Sequence, residues 1–250
     1  MKFEPNPDAK LSLWWLGQSG YLVHHAGQWL CFDPYLSDSL TRKYANTAKP
    51  HVRMKPIVVP PQELDFVDVA TSTHNHTDHL DAETLNAMKP KRLIIPEANR
   101  VFVAERLGCD PAWPTGLHIG ETKTEAGFTF TAVPAAHETL TPSTIGYVGK
   151  AGGFTIYHSG DTLLYPSQAE LIKGFNVDIA ILPINGKVGN MDHRDAAWLA
   201  KAIGAKLTIP CHYDMFEFNT ADPEDFRAAA TELGVMHQVL QLGTRFDVFG

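Results

Sequence analysis

Three observations in the amino-acid sequence predict an α/β fold of two mixed β-sheets packed face to face with helices outside. Strand-like runs crowd the stretch from Leu11 to Asp33, strand and helix patterns alternate on both sides of the middle of the chain, and each run carries an apolar face. A layered arrangement of two sheets with outer helices buries all of those faces together. Hydrophobic residues make up 44% of the 250 and charged residues 20%, which supports a sizeable core and excludes a disordered chain. One domain spanning 1–250 is expected, without a linker, repeat or low-complexity segment.

The chain opens with a meander. Residues 11–16, 21–24 and 29–33 read as strands separated by Gly17-Gln18-Ser19-Gly20 and Ala26-Gly27-Gln28, short glycine-containing turns of the hairpin kind. Residues 34–62 lack periodicity and carry several prolines together with Arg42, Lys43, Lys49, Arg53 and Lys55. Such a loop either lines a substrate entrance or is solvated surface.

The apolar run 66–70 reads as a buried strand. Beyond it, Asp81 is placed to cap a helix over 82–88, 93–95 reads as a strand, and a helix over 99–107 is ended by Gly108. Strand-like segments follow at 122–133, 143–149 and 154–158. A strand at 178–182 leads through a polar loop to a helix over 192–203, whose Ala196, Leu199, Ala200 and Ile203 share one face. Residues 206–210 form the next strand, Asp222 with Pro223 behind it opens a helix reaching Leu233, and 239–241 and 246–249 close the chain as strands.

The chemistry concentrates in Thr73-His74-Asn75-His76-Thr77-Asp78-His79, directly after the strand at 66–70. Neutral imidazole and carboxylate hold borderline divalent metals, and a strand end fixes where they point. On such a loop the His-x-His pair can face one metal while the Asp-His pair turns to a neighbouring one. Further strand-like runs end at His137, at Asp161 within Ser159-Gly160-Asp161-Thr162, and at His212; a fourth ends at Asn185-Gly186. Strand ends are where α/β folds gather their sites, so these loops are expected to converge on the first. Asp33 is either a turn residue or an acid beneath the ligand loop.

The order His-x-His-x-Asp-His, then His, then Gly-Asp-Thr, then a strand-terminal His resembles the metallo-β-lactamase superfamily. That resemblance implies a four-layered αβ/βα sandwich and a hydrolytic site of one or two metals. Trp14-Trp15-Leu16-Gly17, Tyr157-His158-Ser159-Gly160-Asp161 and His212-Tyr213-Asp214 followed by Ala221-Asp222-Pro223 resemble its L-ascorbate-6-phosphate lactonase branch. Members of that branch are longer at both ends and are expected to carry an acid in the stretch around His137. The resemblance implies His74, His76 and His137 on one metal, Asp78, His79 and His212 on the other, and Asp161 bridging them. Two cations sharing a water supply hydroxide near neutral pH. Zinc, manganese and iron all suit these donors, and the lactonase resemblance favours manganese.

The remaining histidines read differently. His158, three before Asp161, reads as a core or supporting histidine; His193 lies in a first helical turn, and His24, His25, His51, His118 and His237 read as surface residues. Tyr213 and Asp214 flank His212 to orient it, to reach substrate or simply to pack, and Asn185 and Lys187 are candidates for holding an anionic substrate. Asp78 has a second expected role in holding or moving a proton.

The net charge of −7 leaves no basic surface for a phosphate backbone, which excludes nucleic acid as a partner. The segment Met1 to Pro7 lacks a signal-peptide core and no apolar run reaches the length of a membrane span, so a cytoplasmic protein is expected. Cys31, Cys109 and Cys211 are widely spaced and read as free thiols. A hydrolase acting on a lactone or related ester of a small sugar-like molecule, phosphorylated or not, fits these features. A phosphodiesterase on the same scaffold and a non-catalytic metal-dependent binding or sensing protein are the alternatives, and a homo-oligomer is left open.

Overall fold

The computed structural model describes residues 3–249. The opening meander is β1 (Leu11–Gly17), β2 (Gly20–His25) and β3 (Gln28–Phe32), antiparallel throughout. A short helix α1 (Ser39–Lys43) interrupts the long loop before β4 (Val69–Thr71). Then come α2 (Ala82–Met88), β5 (Arg92–Pro96), α3 (Arg100–Leu107) and β6 (Thr115–Leu117). Strands β3 to β6 run parallel to one another, as strand–helix alternation demands.

The second sheet starts with β7 (Thr122–Glu125), β8 (Phe128–His137), β9 (Thr139–Ala151) and β10 (Phe154–His158), all antiparallel. Helix α4 (Gln168–Lys173), β11 (Ile179–Pro183), α5 (His193–Ile203), β12 (Leu207–Cys211) and α6 (Pro223–Glu232) continue it in parallel sense. The last strand, β13 (Arg245–Val248), returns to the first sheet beside β1. The sheet orders are β13-β1-β2-β3-β4-β5-β6 and β12-β11-β10-β9-β8-β7. This is the expected four-layered αβ/βα sandwich.

Strand periodicity divides the core. Along β1, Leu11, Leu13 and Trp15 point between the sheets, where they join Phe32, Phe130, Tyr147 and Ile156. Trp14 and Leu16 point the other way, into the layer closed by Leu85 and Met88 of α2 and Val103 and Leu107 of α3. On the far side, Ala196, Leu199, Ala200 and Ile203 of α5 are buried as one face, as their spacing predicts. Among the described residues no helix is long and apolar enough to cross a membrane.

Several expected elements differ. Residues 122–133 form a hairpin rather than one strand, with Ala126 and Gly127 turning at φ 46° and 79° where the threonines shift from even positions (122, 124) to odd ones (129, 131). The run 66–70 becomes strand only from Val69, since Asp68 instead accepts a hydrogen bond from the Trp29 amide. Residues 239–241 are not a strand; the chain there makes only an isolated bridge from Leu242 to Trp15. Helix α4 and strand β6 were not anticipated, being too short for periodicity to register.

Candidate metal centre

The ligand loop leaves β4, the middle parallel strand between β3 and β5, and is braced from below. Asp33, at the end of β3, is fully buried, so it is the acid beneath the loop rather than a solvated turn residue. Its carboxylate accepts from the Thr71 hydroxyl (2.9 Å), the Thr73 amide (3.2 Å), the Thr73 hydroxyl and His79 Nδ1 (2.7 Å). A carboxylate on Nδ1 leaves Nε2 of His79 free to face the site. Gly160, between β10 and Asp161, has φ 69°, and a Cβ there would lie 2.9 Å from Thr73 Cβ; only glycine lets the two sheets' loops approach this closely.

His137 at the end of β8, Asp161 after β10 and His212 after β12 converge on that loop. His137 Nε2 lies 3.2 Å from His76 Nδ1, and the His74 ring centre lies 4.7 Å from His76 and 5.0 Å from His137. His212 Nε2 lies 3.3 Å from His79 Nε2 and 2.7 Å from Asp161 Oδ1. Three overlapping groups have all their ligand atoms within 4.8 Å of one another: His74, His76 and His137; His74, His79 and Asp161; Asp78, His79 and His212. All seven residues expected as ligands are thus brought together.

The donor set fits a metal better than it fits a self-contained hydrogen-bond network. His74 Nε2 and Asp161 Oδ1 are buried and have no hydrogen-bond partner, although His212 and His79 crowd the same oxygen. Buried polar atoms are rarely left so, and here two of them aim into one cluster of donors. Burial holds the His74 imidazole well below its usual range, and that of His76 below its own. Burial also opposes ionisation of Asp161 and Asp78, but the facing His212 and His79 imidazoles win and keep both carboxyls below the usual range. His79, burial notwithstanding, is pushed well above its ordinary value by Asp161, Asp78 and Asp33. Without metal, a proton on His79 is the cation that balances these acids.

Two further groups, given no role by the sequence, surround His212. Gln18 Nε2 donates to Asp78 Oδ2 (2.8 Å) and lies 3.1 Å from His212 Nδ1; Asn190 Nδ2 lies 3.3 Å from Asp161 Oδ2 and 3.5 Å from His212 Nδ1. Gln18 sits in a turn with φ 51°, and nothing in the sequence marks it. His158 is a core residue as expected, stacked on Phe32 and bound to the Ser19 carbonyl at 2.9 Å.

A cavity of about 560 Å³ opens above the cluster, lined by His76, Asp78, His137, Asp161 and His212 and by residues of both long loops. Three residues expected at the substrate lie elsewhere. Tyr213 is buried with its ring stacked on Trp15 (4.4 Å) and its hydroxyl donating to the Leu240 carbonyl. Asn185 is spent on Asn219 Oδ1 (2.7 Å), and Lys187 reaches the Phe218 and Thr220 carbonyls. Their neighbours Val188, Asn190, Phe218 and Asn219 line the cavity instead. His51, expected at the surface, is half-buried and also lines it.

A sandwich with a histidine–aspartate cluster at the strand ends defines a metallo-hydrolase scaffold. The beta-lactamase superfamily domain matches residues 12–212, most of the chain. A UPF0173 metal-dependent hydrolase of Caldivirga maquilingensis is 30% identical over 215 residues, covering 85% of this chain and 86% of that one. The chain belongs to the metallo-β-lactamase superfamily and, within it, to the UPF0173 metal-dependent hydrolase family. Solved structures share the fold: Igni18, a metallo hydrolase of Ignicoccus hospitalis, has a TM-score of 0.71 at 23% identity, covering 95% of this chain and 98% of that one. An isothiocyanate hydrolase from Delia radicum gut bacteria has a TM-score of 0.76 at 21% identity, covering 94% and 98%.

Proposed function

We propose that this metal-dependent hydrolase is dinuclear and opens a lactone, or cleaves a related ester, of a small metabolite, a sugar-like and phosphorylated one being one class to test. The observation that carries the reading is the pairing of two ligand groups at the cavity floor, with Asp161 close to both His79 and His212. His74, His76 and His137 would hold one ion, Asp78, His79 and His212 the other, with Asp161 between them. Bound there, zinc, manganese or iron supplies Lewis acidity toward a carbonyl oxygen and lowers the pKa of water toward neutrality.

The chain's own groups supply the rest. Asp161 is buried and ionised, so it orients rather than exchanges protons with solvent. Asp78 keeps 17% of its side chain exposed and accepts the Gln18 amide, which places it to relay a proton between the attacking water and the leaving oxygen, although its lowered pKa makes it a weak base that passes the proton on rather than keeping it. Lys43 and Lys49 line the cavity as exposed residues and would attract an anionic substituent. The partner on this reading is a small molecule, not nucleic acid, met in the cytoplasm.

Metal analysis of protein purified without added metal, run beside assays on ascorbate 6-phosphate, simple lactones and an aryl phosphodiester, tests the proposal. Retained metal and lactone opening are expected, with turnover abolished in His76→Ala and Asp161→Ala variants that keep their circular dichroism. Full activity of a metal-free protein sinks the mechanism. Faster cleavage of the phosphodiester makes the chain a phosphodiesterase, and inactivity on every class makes it a binding or sensing protein.

A further inference from the structure

The wall of the cavity opposite the ligand cluster is aromatic. His51 stacks on Tyr44 with ring centres 4.2 Å apart and planes 20° apart, and it meets Phe218 edge-on at 4.5 Å and Phe216 at 5.0 Å. Tyr44, His51 and Phe218, with Leu40, line the same space as His76, Asp78 and His137, and the buried Phe216 ring backs them. The His51 Nδ1 is tied to the Lys49 carbonyl at 3.0 Å, and burial holds its imidazole below the usual range, so near neutral pH the ring is an uncharged plate.

The wall is built before any ligand arrives. Arg53 ties its own loop together, donating to Asp38 Oδ1 (2.9 Å) and the Ser37 carbonyl (2.6 Å) while its guanidinium lies 4.6 Å over the Tyr35 ring, and it reaches the other loop at Met215 Sδ (3.1 Å). The Met54 amide donates to the Met215 carbonyl at 2.9 Å, and Arg53 forms a β-bridge with Phe216. Rings held from behind need no ordering when a flat ligand packs on them, so most of the contact energy appears as affinity.

We propose that this wall is a specificity subsite for a planar, apolar group on the substrate, so that aryl-bearing lactones and esters are preferred to wholly hydroxylated sugar lactones. A polyol placed there would find only the Tyr44 hydroxyl and His51 Nε2 to replace the several hydrogen bonds it gives up to water. The inference rests on the lactone and ester reading for its turnover arm, and it stands separately in its binding arm.

The turnover arm compares dihydrocoumarin with gluconolactone on the metal-loaded protein. Dihydrocoumarin is expected to have a kcat/KM higher by about tenfold or more, and Phe218→Ala and Tyr44→Ala to raise its KM by about tenfold while leaving gluconolactone nearly unchanged. Equal rates on the two lactones, or variants that slow both alike, overturn the subsite. The binding arm follows the His51 ring resonances of the same protein on titration with indole and, separately, sorbitol. Indole shifting them in the wild type but not in Phe218→Ala upholds the subsite even when neither lactone is opened, an outcome that defeats the lactone reading alone. Sorbitol binding without indole binding overturns the subsite whichever lactone is hydrolysed.

Discussion

His212 meets two amides at its Nδ1, Gln18 at 3.1 Å and Asn190 at 3.5 Å, and both amide oxygens are buried without a partner. An imidazole that ligates through one nitrogen is aimed by what its other nitrogen meets. Gln18→Ala is therefore expected to weaken metal binding by about 10- to 100-fold, read by chelator competition, while the fold persists. Unchanged affinity would remove Gln18 from the site. Asp33 carries a different load, because His79, Thr71 and Thr73 all depend on it. Asp33→Ala should destabilise the metal-stripped protein by roughly 3–5 kcal/mol in urea denaturation, the cost of leaving a buried charged partner unmatched. His74, His76, Asp78 and His79 were legible in the sequence because their spacing is local. Gln18 and Asn190 were not, since an amide in a turn has no signature until the fold places it.

Strand ends in this protein re-aim their side chains through left-handed backbone. Gln18 after β1, Asp33 after β3 and His212 after β12 have φ of 51°, 37° and 61°. Each costs on the order of 1–3 kcal/mol in a non-glycine residue, a cost the surrounding hydrogen bonds must offset. Gly189, at φ 77°, sits against His137: an added Cβ would lie 2.6 Å from its Nδ1. Gly189→Ala should displace that ring and lower metal affinity by about tenfold, measured by metal retained on dialysis. Retention equal to wild type would show that the loop yields instead. Helix starts were the most readable elements, because Asp81, Asp192 and Asp222 each cap through their own carboxylate. The 122–133 hairpin is marked in the sequence only by Ala126-Gly127 and the shift of the threonines from even to odd positions, which the folded pairing of Thr122 with Thr131 and Thr124 with Thr129 makes plain.

Across the whole chain, the site makes metal-free stability depend on pH in two opposite limbs. His79 has a raised pKa in the folded state, so its contribution is complete below the unfolded value of 6.5 and is lost as pH rises through the folded one. His74 is depressed and resists protonation, so the fold loses stability as pH falls below 6.5 and the unfolded chain takes up the proton. Asp161, also depressed, contributes above its unfolded value of 3.8, and that contribution goes as pH falls through the folded pKa. Metal-stripped protein should therefore melt highest near neutral pH and lower on both sides. The metal-loaded protein should lose the alkaline limb, because an ion replaces the His79 proton. Thermal scans from pH 5 to 9 with and without chelator check this, and an alkaline limb unchanged by metal would refute it.

By itself the sequence determined the fold class and the helix caps, since periodicity and capping are local patterns; it marked His74, His76, Asp78 and His79 by their spacing, and His137, Asp161 and His212 as strand-end candidates that only the family resemblance made ligands. Their order along the chain also marked the family, because the loops between them can vary while the strand ends cannot. Only the tertiary structure decided what surrounds those donors: Gln18 and Asn190 beside His212, and the aromatic wall of Tyr44, His51, Phe216 and Phe218 facing them. The wall joins a loop after β3 to a loop after β12, which belong to different sheets. A contact between residues more than 160 positions apart, His51 to Phe218, leaves no periodicity and no motif, and it exists only once both sheets have packed.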